Sequence, residues 1–209
     1  MSTPAAPLSV DELRPRLDGL TVVDVRTPGE YGSGHIPGVL NVPLDRLDDA
    51  LPALRAAAGR GGGLAVVCAS GGRSGAACER LAAAGISAAS VEGGTDAWAE
   101  RGHPLERPSG ARTVWPMERQ VRLAAGSLVL LGLLLDLAVP GFRVLSALIG
   151  AGLVFSALSN TCGMAAVLSK LPYNRRRPEG PGLEATLRVL AGQRDGGPAA
   201  RDDGGAARP

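Results

Sequence analysis

The sequence has little net charge, very little lysine and little sulfur. Across 209 residues, 22 Lys+Arg stand against 20 Asp+Glu, a formal charge of +2. So small a surplus makes no field that would draw nucleic acid, and no nucleic-acid partner is expected. Lys170 is the only lysine. The 3 cysteines, Cys68, Cys78 and Cys162, are odd in number and lack paired metal spacing. That excludes a disulfide framework and a zinc site, and neither a metal nor a cofactor is expected. The opening residues, MSTPAAPLSVDELRPRL, lack a basic stretch followed by an apolar core. No secretory leader is read there, and the thiols are expected to be reduced and cytoplasmic.

Apolar residues make up 45% of the chain but are unevenly placed, with a polar first half and a hydrophobic segment after Val121. Residues 5–106 alternate helical and strand patterns. Ser9 and Glu12 form a capping-box signal for a helix running to about Leu17. TVVDV (Thr21 to Val25), VLNVPL, LAVVC and SAASV read as short buried strands with helical stretches between several of them. The pattern predicts a small α/β domain with a mostly parallel sheet flanked by helices. Functional groups in such sheets gather at the carboxyl ends of strands, where Cys68 lies.

Residues 107–116 (RPSGARTVWP) read as a linker. Residues 117–174 read as a two-helix hairpin. Leu123 to Val139 holds 17 residues with one charge, Asp136, and Val144 to Leu168 holds 25 with none. At about 1.5 Å per residue the second stretch can cross a hydrocarbon core of roughly 30 Å, and the first barely can. Arg112, Arg119 and Arg122 precede the first helix, and Lys170, Arg175, Arg176 and Arg177 follow the second. The positive-inside rule then puts both ends, and the α/β domain, in the cytoplasm, with two helices in the inner (plasma) membrane of a bacterium. Asp136 is expected to snorkel to the interface. Residues 175–209 read as a disordered basic and Gly-Ala-Pro-rich tail with room for a short helix around Leu183 to Leu190.

The stretch AVVCASGGRSGAACERL (Ala65 to Leu81) is where chemistry concentrates. Its glycines, Gly71, Gly72 and Gly75, fit neither G-x-G-x-x-G nor the P-loop, and no lysine is present. A lone cysteine is commonly an inert buried thiol. Here, however, the amides of Ala69, Ser70, Gly71, Gly72, Arg73 and Ser74 can curl around the sulfur. The next helix adds its positive end, and Arg73 adds a cation. All three favour the thiolate, so no histidine is needed as base. Cys68 to Arg73 is C-x4-R, one residue shorter than the C-x5-R loop of cysteine phosphatases, and the smaller ring suits a sulfur atom better than a phosphate.

This loop resembles that of the rhodanese sulfurtransferases. DVRTPGEYGSGHIPGVLNVPL (Asp24 to Leu44) is similar to the family's upstream signature at Asp24, Arg26, Glu30, Tyr31, Gly34, His35, Ile36, Pro37, Gly38 and Asn41. VEGGTDAWAERGHPLE (Val91 to Glu106) resembles its closing signature at Gly93, Gly94, Ala97, Trp98, Gly102 and Pro104. The resemblance implies catalysis at Cys68. The thiol takes sulfur from a thiosulfate-like anion, becomes a persulfide and hands the sulfur to a thiol or cyanide acceptor. The loop from Ala69 to Ser74 would hold the donor. It also implies that Asp24, Arg26 and Glu30 brace the loop after the first strand, that His35 sits in a tight turn, and that Gly93 and Gly94 shape a turn. His103 is expected at a surface turn and Cys78 on a helix-packing face.

The hairpin resembles the two-helix membrane segment attached to certain bacterial single-domain rhodaneses. The likeness rests on Glu118-Arg119, Arg122, Cys162-Gly163-Met164 and Pro172 before Tyr173-Asn174. Small residues at four-residue spacing (Ser146 with Gly150, Ala147 with Ala151, Gly152 with Ser156) fit either a homodimer or close approach within one hairpin. Cys162 fits either helix packing or a sulfur exchange with Cys68. Two functions stand open: a membrane-anchored sulfurtransferase, and a sensor or persulfide carrier that signals through a hairpin dimer. A small-anion conduit is disfavoured by two short helices with one charge.

Overall fold

The computed structural model describes residues 5–107, 114–159, 163–172, 174 and 182–192. Four parallel strands form one sheet: β1 (Thr21–Asp24), β2 (Leu40–Asn41), β3 (Leu64–Val67) and β4 (Ala89–Ser90), in the order β2-β1-β3-β4. Val23 lies opposite Leu40 on one side and Val66 on the other, and Ala65 lies opposite Ala89. Because strand side chains alternate, Val23 and Val66 face one core with Leu47, Leu54 and Leu81. Val22, Ala65 and Val67 face the other, with Leu13, Ile36, Val91 and Trp98. All four residues of β3 are buried, as expected for a central strand with helices on both faces.

The helices of this α/β domain are α1 (Val10–Leu13), α2 (Pro28–Gly32), α3 (Leu47–Ala58), α4 (Gly72–Ala83) and α5 (Gly94–Glu100). Ser9 and Glu12 form the expected capping box. The α-helix nevertheless ends at Leu13 rather than near Leu17, and Arg14–Gly19 continues as a 3-10 turn. Pro15, which has no N–H to donate, breaks the α ladder there.

The hairpin begins with α6 (Met117–Asp136) and α7 (Arg143–Ser159), which lie against each other. A Cβ on Gly132 would meet the hydroxyl of Ser146, and that hydroxyl donates to the Val129 carbonyl at 2.9 Å. Asp136 does more than reach an interface: its Oδ1 accepts from the N–H groups of Gly141 (2.7 Å) and Arg143 (3.2 Å) and caps the turn. The second apolar stretch, expected as one span to Leu168, is two helices. After α7 comes α8 (Gly163–Ser169), bent from it by 95°. Among the described residues no single helix is long and apolar enough to cross a membrane, whereas the bent pair qualifies by length and composition. Cys162 and its expected roles lie outside the described residues.

A last helix, α9 (Leu183–Leu190), forms where the tail was expected to have room for one. It is not a free element of that tail. Leu190 is buried with Leu54 and Leu81 in the domain core, and Leu183 and Leu187 pack on the same cluster. The rest of the tail lies outside the described residues.

Candidate active site

Strand β3 ends at Val67, and the chain turns at once through Cys68 to Ser74 into α4. Gly71 makes that turn at φ +106°, a conformation that side-chain-bearing residues rarely adopt. Its N–H points back and donates to Cys68 Sγ at 3.1 Å. The Cys68 thiol lies 3.6 Å from the Ser74 hydroxyl, which in turn donates to the Gly71 carbonyl at 2.9 Å and meets the Ser90 hydroxyl at 2.8 Å. Cys68 and Ala69 are buried, while Ser70 and Gly72 on the rim are exposed. The sulfur therefore sits beneath the ring-like turn of the loop with the Gly71 amide on it, at the positive end of a 12-residue helix.

The ring is held from behind by the turn into α5. Thr95 donates both its N–H and its hydroxyl to the Cys68 carbonyl, each at 2.8 Å, and the Asp96 N–H donates to Ala69. Gly94 has φ +57°, and a Cβ there would collide with the carbonyls of Cys68 and Ala69. Gly94 thus lets two backbones touch, and Gly93, at φ +66°, leaves room for the Ala97 side chain. Ser90 and Thr95 carried no sequence signal that tied them to the loop.

Arg73 is held by carboxylates from outside the loop. Its two amino groups form a fork on Glu30 at 2.9 Å each, and Nη2 also reaches Glu118 at 3.4 Å. Its Nε is buried with no partner among the described residues. Burial pulls the guanidinium down, but the hydrogen bonds and charge of Glu30 outweigh it, with smaller help from Glu118 and Cys68, so the group stays charged. Glu30, capping partner of Thr27 at the start of α2, collects the Met117 N–H at 3.0 Å and two bonds from Thr27. Burial pushes its carboxyl up, but the bonds and charge of Arg73, aided by Met117 and Thr27, bring it down to about 2.

The remaining motif residues are architectural. Asp24 and Arg26 are buried and pair at 2.6 Å, Arg26 also bonds the Gly34 carbonyl, and Asn41 ties the carbonyls of Asp24 and Arg26. The pair braces the turn after β1, as expected, and Glu30 both braces that turn through Thr27 and holds Arg73. His35 stacks on Tyr31 with ring centroids 3.7 Å apart and bonds the Tyr31 carbonyl through Nδ1. Burial lowers its pKa, and the ring serves the turn. His103 leans on Trp98 at 4.8 Å and is half-buried rather than on the surface. Burial pushes the Cys78 thiol up to about 11, which suits a packing role in α4.

Residues 9–101 match the rhodanese-like domain family, and residues 114–178 match the transmembrane domain described as inner membrane protein YgaP-like. The chain belongs to the rhodanese-like family. An uncharacterized protein of Synechocystis sp. is 41% identical over 173 residues, covering 81% of this chain and 92% of that one. Thiosulfate sulfurtransferase 16, chloroplastic, of Arabidopsis thaliana is 36% identical over 99 residues, 43% of this chain and 82% of that protein. Among solved structures, a rhodanese-related protein from Thermoplasma volcanium is 34% identical with a TM-score of 0.45, covering 50% of this chain and 100% of that one. The rhodanese-like domain is therefore joined to a membrane domain, and Glu118 in the latter contacts Arg73 in the former.

Proposed function

We propose that this protein is a membrane-anchored sulfurtransferase working through a Cys68 persulfide. One observation carries the reading: the Gly71 N–H is aimed at Cys68 Sγ from 3.1 Å, in the turn that starts α4. That arrangement favours negative charge on sulfur. The Cys68 thiolate attacks the outer sulfur of a thiosulfate-type donor. The donor's S–S bond breaks, and sulfite leaves with the bonding pair. The persulfide's terminal sulfur is then taken by a thiol or cyanide acceptor, and Cys68 leaves as thiolate. Ser74 supports both states, accepting from the thiol and turning its hydroxyl toward the anion. Incubating the full-length protein with thiosulfate should add one sulfur to Cys68 by mass spectrometry and yield thiocyanate once cyanide is supplied. Cys68→Ser should lose both, and a wild-type protein without the adduct would sink the reading.

The same reading puts the sulfur chemistry on the cytoplasmic side of the inner membrane. The Asn174 carbonyl accepts from the Gly29 N–H, and α9 packs on the domain core, so the segments on either side of the hairpin meet. With arginines and the one lysine at both ends, this supports two passes with both ends inside. Ser146 faces α6, while Ala147, Ala151 and Gly152 are exposed and available to a second copy in a homodimer. A second reading, a sensor or persulfide carrier with little turnover, draws support from Cys68 being 0% exposed. It expects the adduct to form while steady-state thiocyanate production stays negligible.

A further inference from the structure

The first turn of α6 ends on the only cation of the reactive loop. Glu118 Oε1 lies 3.4 Å from Arg73 Nη2, an atom that Glu30 already holds at 2.9 Å. One guanidinium thus faces two carboxylates, and the excess negative charge sits at the loop's rim. Glu118 is the outer of the two: its side chain is 41% exposed, against 2% for Glu30. Met117 beside it is buried and gives its N–H to Glu30, so the helix start is fixed in place. A third carboxylate feels that charge, with Arg26 and Arg73 pulling the other way. Asp96, whose N–H bonds the Ala69 carbonyl, has its carboxyl raised by burial first and by the charge of Glu118 next. The loop side chains themselves, Ala69, Ser70, Gly71 and Gly72, bring no compensating cation.

We propose that Glu118 sets the charge selectivity of the Cys68 loop, drawing on Arg73 so that anionic reagents are disfavoured relative to neutral ones. The inference rests on the sulfurtransferase reading for its consequence. A dianionic donor is bound less readily than the amide ring would allow, and sulfane carriers of lower charge, such as an organic persulfide, gain relative to it. Because Glu118 touches neither Sγ nor a reacting atom, it is a positioning residue. The hairpin thereby enters the choice of donor without taking part in the chemical step.

The test compares two alkylating reagents of similar size, iodoacetate and iodoacetamide, on the full-length protein in lipid nanodiscs. In each case the Cys68 thiolate displaces iodide, and peptide mapping separates Cys68 from the other thiols. Glu118→Gln should raise the iodoacetate-to-iodoacetamide rate ratio roughly two- to five-fold at low salt, the range of an exposed ion pair, and high salt should shrink the gain. Glu118→Asp should keep the wild-type ratio. With thiosulfate, Glu118→Gln should lower KM by a similar factor and leave kcat unchanged. A merely structural role moves both alkylation rates together. An unchanged ratio in Glu118→Gln, or a wild-type Cys68 that reacts with neither reagent, overturns the proposal. Alkylation needs no sulfur transfer, so a shifted ratio in a protein that forms no persulfide would fail the sulfurtransferase reading and leave the charge selectivity standing.

Discussion

The rhodanese-like domain and the hairpin are built from similar apolar residues placed in opposite ways. In the domain, Val23, Ile36, Leu54 and Leu81 are at most 1% exposed. In the hairpin, Leu134 is 64% exposed, and Leu137 and Leu158 are each 85% exposed. The domain answers to water, where each Å² of apolar surface removed contributes about 25 cal/mol. The hairpin answers to lipid, where leucine gains nothing by turning inward, so its contact runs through the small residues Gly132 and Ser146. Polar groups divide the same way. The domain buries Asp24, Arg26 and Glu30 with bonds to each, while the hairpin confines its charges to its ends. At the seam the two patterns meet where Arg73 of the domain reaches Glu118 at the start of the hairpin and the Met117 N–H reaches Glu30.

The sharpest break of this contrast is expected on the domain side. Gly94→Ala forces a Cβ into the carbonyls of Cys68 and Ala69 at positive φ, and should cost about 4 kcal/mol. The drop is read from the urea midpoint of the full-length protein in micelles, and a variant as stable as wild type would show that the loop yields easily. Glu30→Gln comes next, at about 3 kcal/mol, because it strands the buried cation of Arg73. It also has a pH signature. The Glu30 carboxyl lies below its ordinary 4.5, at about 2, so its stabilisation is complete above 4.5 and is lost as pH falls toward 2. Urea midpoints taken from neutral pH downward should fall steeply in wild type and less steeply in Glu30→Gln.

Leu190→Ala asks whether α9 belongs to the domain. A side chain with no exposure in that core should cost about 2 kcal/mol and leave residues 182–192 open to limited proteolysis. Unchanged stability would assign α9 to neither region. Gly132→Ala carries the smallest effect, about 1 kcal/mol, confined to the hairpin. Its thermal melt in micelles should shift while the domain's urea midpoint stays put, and a shift in the domain instead would mean that the two regions unfold as one.

Much of the domain was legible from local pattern. Short runs low in charge marked all four strands, Ser9 with Glu12 marked the first helix, and Cys68 to Ser74 marked the loop within a single contiguous stretch. The capping box marks where α1 begins, and Pro15 sets where it ends. The bend between α7 and α8 was hidden by hydropathy, which counts charge and not helix continuity. Glu30 was legible as a brace of the loop after β1, but its pairing with Arg73 was not, since nothing near it in the chain marks Arg73 as its partner. Glu118 and Thr95 could not be tied to the loop at all.

By itself the sequence determined the strand and loop chemistry: which residues extend, where glycine permits the turn, and which thiol sits at a strand end before a helix. These follow from forces acting over a few residues, such as alternation, capping and backbone sterics. Only the tertiary structure decided who holds Arg73. Glu30 and Glu118 lie 43 and 45 residues away from it in the chain. No local rule spans that separation, because the pairing depends on how α2 and α6 are carried across the sheet to the end of β3. The partners of the loop's arginine are therefore a property of the folded seam between domain and hairpin.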